Sequence, residues 1–67
     1  MEMVKKIKVL LKHWMDHNAT HMDEYERWAK IMEEEGRKDI AEALYEAIEH
    51  VKKVQESFSK AKELAEK

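Results

Sequence analysis

The stretch DIAEALYEAIEHVKKVQESFSKAKELA, residues 39–65, decides the fold. Along it Ile40, Leu44, Ala47, Val51, Val54, Phe58, Ala61 and Ala65 recur at spacings of 4, 3, 4, 3, 4, 3 and 4, with Ile48 and Leu64 widening the stripe on either flank. Such spacing draws one apolar stripe down an α-helix, and a stripe this regular is the seam of a helix packed against another helix. The chain has no proline and one glycine, Gly36. Gly36 follows Glu33-Glu34-Glu35 and precedes Arg37-Lys38-Asp39, where a left-handed C-cap would end one helix just before the next begins. A link that short makes the preceding segment the partner, packed antiparallel.

That preceding segment carries a stripe of its own. Met3, Ile7, Leu10 and Trp14 are followed by Asn18, His21, Tyr25, Trp28 and Met32, with one extra residue of drift between His13 and Asn18 that resembles a stutter in a heptad pattern. Asn18 and His21 are polar residues on an otherwise apolar stripe, and a seam asparagine can fix register or oligomer state. Asn18 and Thr20 are also good N-cap residues, with Asp23 three residues after Thr20, so the helix either runs on or breaks at Asn18-Ala19-Thr20. Continuity is the expectation, because neither glycine nor proline marks a break. The reading is an all-α antiparallel helical hairpin in a single domain, with helices over about 2–35 and 39–65 and a turn over about 36–38. A kink or break near residues 12–20 would convert it to three helices. Met15, Met22 and Ile48 lie off these stripes and would stay wet on a lone hairpin. A homodimer pairing two hairpins into a four-helix bundle would cover them.

Composition narrows the function. A chain of 67 residues buries only about 60% of its unfolded surface, so a bound metal or a second copy is the expected reinforcement. Charged residues make up 42% of the chain, and the Lys- and Glu-rich mix suits a thermophilic or a designed helical protein. Net charge is −2 with no basic stripe, which leaves nucleic-acid binding without an electrostatic footprint. There is no cysteine, so a metal site here would be built from imidazole and carboxylate. MEMVKKIKVLLK at the start alternates charged and apolar residues, and no segment approaches a membrane span of roughly 18 apolar residues. No membrane partner is expected and the default location is cytoplasmic.

The chemically pointed stretch is HWMDHNATHMDEY, residues 13–25. His13, His17 and His21 stand four apart, so on a helix they stack on nearly one face, with Glu24 three residues beyond. With the seams labelled a and d, His17, Glu24 and His50 fall on the same flank of the hairpin. Folding about residue 37 sets residue 50 opposite residue 24. His17, His21, Glu24 and His50 are therefore expected to converge, with His13 one turn further out. Such a nitrogen and oxygen set suits Zn, Ni, Co, Cu or Fe without choosing among them. A pair of histidines at i and i+4 is the chelating geometry of the HExxH helix, although that motif and the Glu-x-x-His of di-iron bundles are both absent. Against this stands the plainer reading of a polar seam or of solvated histidines. Trp14, Tyr25, Trp28, Tyr45 and Phe58 read as core and interface aromatics, the methionines as adaptable packing, and Glu33 to Glu35 as a solvated helix end.

HW-x-x-HN-x-x-H, followed by a second Trp-Ala, a glycine turn and a heptad helix, resembles a family of small prokaryotic helical proteins. The resemblance runs from about residue 10 to the end, on His13, Trp14, His17, Asn18, His21, Trp28 and Gly36. It implies a real motif and no particular activity. Where Lys12 stands, relatives can carry proline, which implies a helix starting or kinking at that point. The first expectation is thus a small helical metal-binding protein for storage, delivery or sensing. The alternative is a non-catalytic dimerisation or protein-interaction module with structural histidines. An enzyme on an open metal site comes last, because no nucleophile or second carboxylate pair is evident.

Overall fold

A left-handed glycine sets the architecture. In a computed structural model describing all residues, Met1–Lys67, Gly36 has φ 78° and ends α1, Glu2–Glu34, ahead of α2, Lys38–Ala65. The Gly36 N–H donates to Glu33 O at 3.1 Å and the Arg37 N–H to Met32 O at 2.9 Å, a Schellman cap that satisfies the last carbonyls of α1. Arg37 then grips the Asp39 carboxylate with two donors at 3.1 and 3.2 Å, while the Ile40 N–H donates to the same carboxylate at 2.9 Å. These bonds, the guanidinium's first, hold the Asp39 carboxyl below its ordinary range. An acidic side chain in the first turn also complements the positive end of the α2 dipole. The product is a two-helix hairpin without strands, 53 × 15 × 11 Å.

α1 is unbroken across the segment where a break had been an option. Both candidate caps are otherwise engaged: the Thr20 hydroxyl donates back to Asp16 O at 3.2 Å, and Asn18 reaches across to α2. Lys12 continues the helix where a proline would have interrupted it, and pairs with Asp16 at 2.9 Å. That contact raises the Lys12 ammonium and lowers the Asp16 carboxyl, through the hydrogen bond first and the opposite charge second.

On α1 the seam lies one residue along from the expected stripe, whereas on α2 the expected stripe stays half-buried apart from Val54, with Ile48 at its centre. The four buried side chains are Leu11, Ala29, Ala41 and Ile48. Around them Met15, Asn18 and Met22 from α1 and Leu44, Val51, Gln55 and Phe58 from α2 are half-buried. Met15, Met22 and Ile48 thus belong to the seam, whereas Met3, Trp14, Trp28 and Val54 are exposed. No stutter is needed, since Leu11, Met15, Asn18, Met22, Tyr25 and Ala29 keep spacings of four and three throughout. The reason is steric. A turn this tight brings the helices together at once, and Ala29 and Ala41 close that end at 0% and 1% exposure, where Trp28 would wedge the helices apart. Burying Leu11 and Ile48 contributes roughly 1.5–3 kcal/mol each.

Two polar contacts cross the seam. Asn18 Nδ2 donates to Gln55 Oε1 at 3.1 Å and Gln55 Nε2 donates to Met15 O at 2.8 Å, so each amide in the pair has a partner. Nearer the turn the Tyr45 hydroxyl donates to Glu33 at 2.7 Å, which gives one member of the acidic run a structural task and raises the phenol above its ordinary range. No helix is long and apolar enough to cross a membrane.

Candidate metal centre

The one-residue shift of the seam determines where the histidines point. At roughly 100° per residue, His21 lies about a quarter-turn from the seam, in the middle of the outer stripe formed by Met3, Leu10, Trp14, Tyr25 and Trp28. His17 flanks that stripe and His13 lies further round. The side chains follow: His13 stacks on His17 at 6.3 Å between ring centroids, His17 meets His21 edge-on at 4.4 Å, and His21 stacks on Tyr25 at 5.9 Å. The continuous helix brings these four rings together by spacing alone.

Within the ladder, one contact has the geometry of a chelate. The Nε2 atoms of His17 and His21 are 2.8 Å apart, close enough for one ring to donate a hydrogen bond to the other. Two nitrogens bound at 2.0–2.1 Å to one tetrahedral ion sit about 3.3 Å apart, so the pair needs to open by only about half an ångström. Both rings retain that freedom, being at the surface. The other nitrogen of His21, Nδ1, is 4.0 Å from the Glu24 carboxylate. A carboxylate beyond the free nitrogen of a ligating histidine fixes its tautomer and orientation and raises its basicity. At 4.0 Å the two are not hydrogen-bonded, so Glu24 would have to close by about an ångström to aim His21.

The wider convergence does not form within one chain. His50, expected opposite Glu24, is 70% exposed and lies 3.7 Å from Glu46 on its own helix. No group of three or more His, Asp or Glu side chains is arranged to hold an ion. His17 and His21 stay together, with His13 and Glu24 beside them, and His50 stands apart. The physical cause lies in the seam: with Ile48 turned fully inward, His50 swings towards the outer edge of α2.

Beside the chelating pair, Trp14, His17, Asn18, Val54 and Phe58 line one open trough. Trp14 and Phe58 approach to 5.7 Å across it. The expected stripe runs through Val54 and so passes by Gln55, the partner of Asn18. The signal was present in Ala41, Leu44, Ile48, Val51, Gln55 and Phe58, which also recur at three and four.

Comparison with known proteins gives kinship without an activity. An uncharacterized protein of Archaeoglobus fulgidus is 34% identical over 58 residues, which cover 87% of this chain and 92% of that protein. No solved structure matches the chain. Residues 7–65 match the family described as a domain of unknown function, DUF8180, and that match spans both helices and the turn. The chain belongs to the DUF8180 family.

Proposed function

We propose that this protein binds a divalent transition-metal ion through His17 and His21, as a small storage, delivery or sensing protein. The observation that carries the reading is the 2.8 Å approach of the two Nε2 atoms, on a helix that holds them one turn apart. Imidazole suits zinc, nickel, copper and iron alike, so the class of ion is divalent and borderline. His13 stacks on His17 one turn away without converging on the pair, and Glu24 stands 4.0 Å from His21 Nδ1.

Melting in the presence of zinc, nickel or copper, with and without chelator, tests this directly. An ion at 100 times its Kd stabilises the folded state by about 2.7 kcal/mol. The expected result is a rise in Tm with one of these ions, reversed by chelator and absent from a His17→Ala, His21→Ala variant. Equal response in wild type and variant, or none in either, overturns the reading.

A second reading has its own support. Trp14, Trp28, Leu10, Met3 and Val54 are all at least 37% exposed, which suits a helical interaction module. Its signature is stability that depends on protein concentration and ignores chelator.

A further inference from the structure

We infer that a second copy of this chain completes the metal centre: two hairpins pair through the outer face, and His17 and His21 from each supply a four-nitrogen site. This rests on the metal reading above and adds to it who provides the missing ligands.

The site is unfinished in one chain. A structural zinc site takes four protein ligands, and a single hairpin offers two convergent imidazoles and no third group arranged with them. The ligands that are lacking have to come from outside the chain.

The surface around the pair says where from. Both helices turn their second apolar stripe to the same side, as the trough shared by Trp14, His17, Val54 and Phe58 shows. Exposed Met3, Leu10 and Trp28 extend it along α1, and half-buried Ala47 and Ala61 flank it on α2. A chain with four buried residues has not finished burying its apolar surface. The hairpin is 53 Å long and 15 Å wide between Cα positions, so an occupant that covers the stripe has to lie along it. Its occupant should be long, flat, helical and apolar along its middle, and a second hairpin has that shape.

Symmetry then favours the position of the histidines. In a two-fold pair each residue contacts the partner in reciprocal fashion, and only residues near the dyad meet their own counterparts. Hairpins of equal length overlap most fully when the dyad crosses them at mid-length. The middle of α1, Glu2–Glu34, is Asn18, and His17 and His21 bracket it. A dyad there brings the two pairs together, while the same pair placed near either end would be carried away from its mate. Glu24 lies about 9 Å along α1 from Asn18, at roughly 1.5 Å per residue, and so off the dyad.

Native mass spectrometry of the full chain with zinc added, alongside the same measurement on Trp28→Glu, tests the inference. Trp28 is exposed on the outer face, about two turns from His21 and outside the trough that His17 lines, so a carboxylate there opposes pairing and leaves the histidines in place. The expected species is a dimer carrying one zinc, with dimerisation tightened about 100-fold at zinc 100 times its Kd. Trp28→Glu should bind zinc on the order of 100-fold more weakly. One zinc on each monomer, undiminished in Trp28→Glu, overturns completion by a second copy and leaves the metal reading standing. A dimer that takes up no zinc, nickel or copper sinks the metal reading itself, and this inference with it. Should Trp28→Glu fail to fold, the zinc-to-chain ratio of the wild type still decides: one per two chains supports the inference, and one per chain refutes it.

Discussion

Gly36 is the residue on which the hairpin turns, and its conformation is of a kind that other residues adopt at a cost. Its φ of 78° lies in the left-handed region, while nothing stands within 4 Å of where a Cβ would be. An added methyl group therefore meets no neighbour, and the penalty of Gly36→Ala is purely that of the backbone. The expected loss is roughly 1–2 kcal/mol, read as a lower denaturant midpoint with an unchanged slope. A change in slope would mean instead that the turn had re-formed elsewhere. The Tyr45–Glu33 bond and the seam beyond it are untouched, so the substitution should weaken the hairpin without opening it. Gly36 was legible from sequence because it is the single glycine between two helical patterns. The Tyr45–Glu33 bond beside it was not, since contacts across a turn depend on a register that spacing leaves open.

At the scale of the element, α1 has apolar residues enough for two stripes, and periodicity cannot say which one faces α2. Met3, Leu10, Trp14 and Trp28 form the heavier stripe and were the natural choice for the seam, yet Leu11, Met15, Met22 and Ala29 occupy it. Side-chain size next to the turn favours this choice, since Ala29 and Ala41 are the most buried residues there. Helix class, hairpin topology and the histidine ladder, being local, could be read from the sequence; seam register, and with it the place of His50, required the third dimension. The polar pair inside the seam has a consequence that can be measured. Asn18→Leu with Gln55→Leu removes both amides together and leaves no orphaned side-chain partner, so stability should hold or rise. Gln55→Leu alone strands the Asn18 amide and should cost about 1–3 kcal/mol. If the single and double variants lose the same amount, the pair does not act as a unit and its role in register falls.

At the scale of the whole molecule, everything that holds α1 to α2 joins residues on either side of one turn, and the chain between them lengthens steadily. Tyr45 and Glu33 are 12 residues apart, Asn18 and Gln55 are 37 apart, and Gln55 is 40 from the Met15 carbonyl it binds. In the metal-free monomer, amide hydrogen exchange should follow this order, with protection greatest near Ala29 and Ala41 and falling towards both termini together. Uniform protection along both helices of that monomer would contradict it, whereas in a zinc-bound pair the second hairpin should flatten the gradient. The same nesting bears on how the chain folds. Each new seam contact closes a loop only slightly larger than one already closed, and doubling a loop adds only about 0.6 kcal/mol of closure entropy. Assembly can then run like a zip fastener, started at Gly36 and drawn outwards, with no slow search for a distant partner. Asn18 and Gln55 stand halfway along that track, as a checkpoint that a slipped register cannot pass with both amides paired.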